Sequence, residues 1–157
     1  MTDQPTLEQV QESIRSHRYM GGVDRHTERT DATEEVFTDT EKARDLVARM
    51  YAHRPELFTD TTKTIIDPAV GDGQLLGECL IKRMELGNDF VSSLTTLRGL
   101  DLMQDNVELC RRRLMCGYDP MRKWAEQYII QGDCFENDYT FGEAITLGPP
   151  SLHKYFS

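Results

Sequence analysis

The feature that most limits what this chain can fold into is a strand, a glycine turn and a helix in immediate succession. Lys63-Thr64-Ile65-Ile66-Asp67 is a β-branched run that stops at Pro68. Asp67-Pro68-Ala69-Val70-Gly71-Asp72-Gly73 then leads into Leu75, Leu76, Cys79, Leu80 and Met84, which keep one-face helical spacing as far as Gly87. Glycines at that position allow a tight turn and bring the backbone close to a ligand. The pattern opens a parallel βαβ unit.

Further elements follow at compatible spacing. A second strand fits Thr95 to Asp101, and from about Gln104 Val107, Cys110 and Leu114 share a helix face. Pro120, at a first-turn position, opens a short helical segment through Trp124, which packs with Met121 under a third strand, Tyr128 to Gln131. Ala144-Ile145-Thr146-Leu147 is a fourth candidate strand, ending at Gly148-Pro149-Pro150. Upstream, Thr38-Asp39-Thr40-Glu41 has the capping-box form, and Ala43, Leu46, Val47, Met50 and Tyr51 predict an amphipathic helix that ends before Pro55. Residues 1–35 read as a polar arm with a Gly21-Gly22 break and a short helical period around Val10 to Ile14. The expected fold is α/β, a doubly wound parallel sheet over residues 36–151, with residues 152–157 as a tail. Ligands of such sheets sit outside the carboxyl ends of the strands, which singles out Asp67, Asp101, Asp133 and Gly148. With so little chain after Ser151, the sheet is expected to stop after about four strands. Its open edge would be covered by the arm, by a second copy in a homo-oligomer or by a partner subunit.

The 157 residues amount to about one domain, and a hydrophobic share of 38% against 29% charged is enough to bury a core. Eighteen basic and twenty-seven acidic side chains give 18 − 27 = −9, so the bulk field is unfavourable for DNA and any affinity for it needs a local cluster or a partner. No apolar run is long enough to span a membrane, and the acidic start lacks the features of a signal peptide, so a cytoplasmic protein is expected. The four cysteines form no C-x-x-C pair and the four histidines no paired spacing, so neither a disulfide framework nor a metal site is expected.

The dinucleotide fingerprint G-x-G-x-x-G fails at Leu76, and no G-x-x-x-x-G-K-[ST] cradle is present. Asp101 can accept the two hydroxyls of a ribose or cap the following helix, for which Asp105 and Asn106 are similar candidates. Asp133 offers a carboxylate to an adenine amino group, and Phe135 either faces the same base or lies in the core. Cys134 has no histidine near it in sequence to make it a nucleophile. Arg111-Arg112-Arg113, with Lys82 and Arg83, reads as a solvated helix face, with phosphate contact as the alternative.

The order of these segments resembles the amino-group (N-6 adenine) DNA methyltransferases, especially their short phage-type members. Phe37-Thr38 is similar to the family's Phe-Thr-Pro segment, with Asp39 in place of proline, and Asp67 to Gly73 is similar to its main cofactor loop. Asp101 matches its ribose carboxylate, Asp133 with Phe135 its adenine segment, and Gly99-Leu100-Asp101-Leu102-Met103-Gln104-Asp105-Asn106-Val107 also resembles it. The resemblance, from about Glu28 to Phe141, implies a Rossmann-like fold of the class I S-adenosylmethionine-dependent type. It implies S-adenosylmethionine as cofactor, held by Phe37, Thr38, Asp67, Pro68, Ala69, Gly71, Gly73, Asp101, Leu102, Asp133, Cys134 and Phe135. The activity implied is methyl transfer to adenine in DNA, as in restriction–modification. The family's catalytic Asn-Pro-Pro-Tyr or Asp-Pro-Pro-Tyr is represented by Gly148-Pro149-Pro150-Ser151, where the amide or carboxylate and the aromatic ring are missing. A second expectation is therefore a degenerate module that pairs with a partner, or that sequesters or consumes the cofactor. A third is an acidic mimic of nucleic acid.

Overall fold

The computed structural model describes residues 3–16 and 39–143. Phe37, Thr38, the candidate strand at 144–147 and Gly148-Pro149-Pro150-Ser151 lie outside the described residues. The elements run α1 (Leu7–Ser16), α2 (Thr40–His53), α3 (Glu56–Thr59), β1 (Ile65–Asp67), α4 (Gln74–Glu85), α5 (Phe90–Thr95), β2 (Leu97–Asp101), α6 (Gln104–Met115), a 3-10 turn (Asp119–Met121), α7 (Arg122–Tyr128) and β3 (Ile129–Gln131). The fold is α/β with a small open parallel sheet in the order β1-β2-β3, Ile65 opposite Leu97 and Gly99 opposite Ile129. That order is compatible with a truncated Rossmann-like arrangement. The reversal of strand order that makes a sheet doubly wound is not among the described residues.

The core follows the expected stripes. Leu76, Cys79, Leu80 and Met84 of α4 and Val107, Cys110 and Leu114 of α6 are all buried, and α6 and α7 pack against β2 and β3. Trp124 and Met121 are buried as the sequence predicts, the indole donating to the Thr95 carbonyl. Leu46 departs from its stripe and is 44% exposed, because the covered face of α2 is formed by Ala43 and Val47, with Met50 and Tyr51 packed partly buried beside them. The cap of α2 is Asp39, whose side chain accepts from the Lys42 amide at 2.8 Å, one residue later than the Thr38 box predicts. The second strand begins at Leu97. Thr95 belongs to α5, a helix started by Asp89 accepting from the Ser92 amide and held by the buried Phe90 and Leu94.

Residues 3–16 correct the reading of this part of residues 1–35 as an arm. Thr6 and Gln9 form a reciprocal capping box: the Gln9 amide donates to Thr6 Oγ1 at 3.2 Å and the Thr6 amide to Gln9 Oε1 at 2.9 Å. The helix it starts, α1, packs on α4 and α6 and buries Val10 and Ile14 completely. Full burial of two such side chains stabilises by roughly 3–6 kcal/mol before ordering costs, more than a loose arm can gain. Arg15 adds a two-pronged bond to the buried Glu78, Nε to Oε2 at 3.1 Å and Nη2 to Oε1 at 2.9 Å. The Glu78 carboxylate in turn holds the Arg15 guanidinium above its ordinary range. Arg15→Ala leaves that carboxylate buried without its cation and is expected to cost about 2–4 kcal/mol in urea denaturation.

The basic residues are not one solvated face. Arg83 and Arg113 are buried, and Arg111 donates to the carbonyls of Ala125, Glu126 and Ile129 at the end of α7. The Lys82 ammonium sits 4.4 Å from the Tyr51 ring centre. A guanidinium presents five donors in a fixed plane and can satisfy several buried carbonyls at once, which offsets the loss of water.

Candidate functional site at the strand ends

β1, β2 and β3 are parallel, so Asp67, Asp101 and the Gly132-Asp133 pair all fall at one end of the sheet. The loop after β1 is laid across the end of β2: the Val70 amide donates to the Leu100 carbonyl at 2.7 Å and the Gly71 amide to Asp101 Oδ1 at 3.1 Å. Gly71 and Gly73 have φ of 56° and 89°, the left-handed region where a side chain is strained. Gly73 also packs so tightly on α6 that a Cβ there would lie 2.9 Å from Cys110 Sγ.

Asp67 is half-buried and accepts from the Ala69 amide at 3.0 Å. Burial pushes its carboxyl above the usual range, the Ala69 amide opposes this, and the neighbouring Asp101 charge adds to it. Among the described residues, no cation compensates Asp67. Asp101 is a tether in this structure. Its Oδ2 accepts from the Met103 amide at 2.9 Å and from Asn106 Nδ2 at 3.0 Å, in addition to the Gly71 bond. The helix-capping and ribose readings of Asp101 are compatible, because an ionised carboxylate accepts about four hydrogen bonds and three are in use. Asn106, an expected cap candidate, contributes by holding Asp101.

The Gly132 amide donates to the Asp101 carbonyl at 2.9 Å, which brings the third strand end to the second. Asp133 Oδ1 accepts from the Phe135 amide at 2.8 Å, a turn that tips the ring into solvent. Phe135 is 94% exposed and therefore not core. Leu102, after β2, is 64% exposed, and its carbonyl accepts from Gln131 Nε2 of β3. Pro68 and Ala69 are exposed at the rim, while Cys134 is half-buried with its carbonyl accepting from the Tyr139 hydroxyl. The chain after this turn is held back on α7 by Tyr128 and Phe141, rings 6.0 Å apart, and by Gln127 donating to the Phe141 carbonyl.

The strand ends thus collect Asp67, the glycine loop, Asp101, Leu102, Asp133 and Phe135. Sequence reasoning missed the layer beneath the loop, where Asp72, Gln74 and Arg113 are buried together. Burial pushes the Asp72 carboxyl up while Arg113, 3.3 Å away, draws it down. A separate cleft of about 360 Å³ between α6 and α7 contains Arg111, Arg112 and Arg122 with Glu108 and Glu126. Arg111 is taken up by carbonyls and Arg122 pairs with Asp119 at 2.9 Å, so the cleft is a mixed-charge surface and not a phosphate cradle. All four cysteines are free, with the Cys79 thiol pushed up to about 12 by burial. Among the described residues, no group of three His, Cys, Asp or Glu is placed to hold a metal ion, and no helix is long and apolar enough to cross a membrane. Comparison with protein-family models, curated proteins and solved structures finds no match for this chain.

Proposed function

We propose that this chain binds S-adenosylmethionine at the strand ends and transfers its methyl group to the exocyclic amino group of adenine in DNA, as the family resemblance implies. The observation that carries the binding half is Asp67, a half-buried carboxylate that no cation among the described residues compensates, beside a second carboxylate and a glycine loop. Titratable groups held away from their ordinary state in a cleft mark functional sites, and this one favours a cationic adenosine ligand. A dinucleotide would bring a pyrophosphate against Asp67 and Asp101, which electrostatics disfavours. When bound, S-adenosylmethionine supplies a methyl group on a sulfonium. Asp67 is suited to the ammonium at its charged end, Asp101 to the ribose, and Asp133, Leu102 and Phe135 to the adenine.

A second reading, a cofactor-binding subunit that needs a partner for transfer, is favoured by Gly148-Pro149-Pro150-Ser151, which lacks the side chain that orients the target nitrogen. Calorimetric titration with S-adenosylmethionine, its demethylated product and NAD tests binding, and tritium-methyl transfer to mixed-sequence DNA tests the reaction. Binding with transfer supports the methyltransferase. Binding without transfer favours the subunit, and no binding of either adenosyl ligand removes both. Phe135→Ala is expected to weaken S-adenosylmethionine about tenfold, the loss of one base–aromatic contact, while leaving stability within about 0.5 kcal/mol because the ring is in water.

A further inference from the structure

The glycine loop is held from beneath by one guanidinium that also holds the first helix. Arg113 of α6, 2% exposed, donates through Nη1 to the Asp72 carbonyl at 3.0 Å and through Nη2 to Gln74 Oε1 at 2.9 Å and to the Ile14 carbonyl at 2.6 Å. Ile14 lies near the end of α1. Gln74 opens α4 and passes the network on to Thr40 Oγ1, at 3.0 Å, on the first residue of α2. The buried atoms Asp72 Oδ2 and Arg113 Nε have no hydrogen-bond partner among the described residues, so the ion pair to which α1 is tied through Ile14 is incompletely satisfied. If α1 lifts, the guanidinium loses the Ile14 carbonyl and water reaches the pair, and the bonds that fix Asp72 and Gln74 change with it.

We propose that docking of α1 and ligand binding in the Gly71–Gly73 loop are coupled, with Arg113 as the positioning residue that carries the coupling. The ligand half rests on the reading that this loop holds S-adenosylmethionine. Coupling is reciprocal: a docked α1 raises ligand affinity, and bound ligand raises the fraction of α1 that is docked.

Gly77 of α4 allows a test that leaves the loop and Arg113 intact. A Cβ there would lie 2.7 Å from Ile14 Cγ2 and 3.2 Å from its Cδ1, and the fully buried Ile14 has no room to retreat. Gly77→Ala therefore pushes α1 away, and adding Ile14→Ala removes the three nearest atoms it meets, Cγ2, Cδ1 and Cγ1 of Ile14. Hydrogen exchange without ligand is expected to be about tenfold faster in Gly77→Ala over residues 7–16 and 70–74, with residues 97–101 unchanged, and in the double variant, which relieves the clash but gives up the burial of Ile14, the two segments are expected to change by the same factor as each other. Calorimetry with S-adenosylmethionine is expected to show about tenfold weaker binding in Gly77→Ala, and in the double variant an affinity that follows the exchange rate of residues 7–16. Faster exchange in α1 with an unchanged loop overturns the coupling, whatever the ligand does. Coupled exchange with no binding by any form overturns the S-adenosylmethionine reading and leaves the link between helix and loop standing. The wild-type protein gives the same test without substitution: saturating S-adenosylmethionine is expected to slow exchange over residues 7–16 about tenfold, and unchanged exchange in a protein that binds overturns the proposal.

Discussion

Asp67→Asn is expected to weaken S-adenosylmethionine about 100-fold while leaving the protein at least as stable as wild type at pH 7. The loss of affinity is what removing one charge from a partly desolvated pair costs, on the order of 3 kcal/mol. The effect on stability has the opposite sign, and this separates a binding role from a structural one. Asp67 in the folded protein titrates above its ordinary value of 3.8, because burial and Asp101 disfavour its charge. A carboxyl shifted upwards favours the fold while protonated, so this contribution is fully present below the ordinary value and is lost as pH rises through the folded one. Asn keeps an oxygen for the Ala69 amide and has no charge to desolvate. The stability of the variant relative to wild type should therefore increase between pH 4 and pH 7 in urea denaturation. A variant that binds normally, or that is less stable at pH 7 than at pH 4 relative to wild type, would contradict the assignment.

Arg83→Met is expected to be the most damaging single substitution for the fold. The side chain is fully buried and donates to four acceptors: Nε to the Leu57 carbonyl, Nη1 to the Ser93 carbonyl and Thr96 Oγ1, and Nη2 to the Lys63 carbonyl. These belong to the segments around α3, β1, α5 and β2, so a single group joins the entrances to both strands. Burial lowers the guanidinium from its ordinary value, but a group of this strength stays charged at neutral pH. Met fills much of the volume and leaves three carbonyls and a hydroxyl in the interior without their donor, at about 1–3 kcal/mol each. The total is comparable with the whole stability of a domain, about 5–15 kcal/mol. Fluorescence of the single tryptophan, Trp124, against urea should show a protein largely unfolded without denaturant. Arg83→Lys is expected to recover only part of the loss, since one ammonium cannot reach all four acceptors.

The parts of this molecule that could be read from sequence are those whose signals are local. The β-branched run before Pro68, the stripe of Leu76, Cys79 and Leu80, and the stripe of Val107, Cys110 and Leu114 each specify an element within a few turns of chain. Because the strands are parallel, correct strand ends were enough to bring Asp67, Asp101 and Asp133 together. Arg83 and Arg113 could not be placed, because most of their hydrogen-bond partners are backbone carbonyls, up to 99 residues away, and carbonyls leave no trace in a sequence. Phe135 was equally ambiguous, since an aromatic after a strand suits a core as well as a platform, and the Asp133 turn decides it. The first helix was legible in principle: Thr6-Leu7-Glu8-Gln9 has the capping-box form, with Val10 and Ile14 behind it.

The bond between the Ile14 carbonyl and Arg113 spans 99 residues, which sets an order of events at the ribosome. At about 5–20 residues per second, roughly 5–20 s pass between synthesis of the first helix and synthesis of the arginine that anchors it. A helix of ten residues is too short to persist by itself in water, whatever its cap. Through that interval α4 alone is available to cover α1, and the side of α1 that packs on α6 remains uncovered on the nascent chain. This helix waits for α6 before its anchor is complete, and until then it is a ready target for chaperones and proteases.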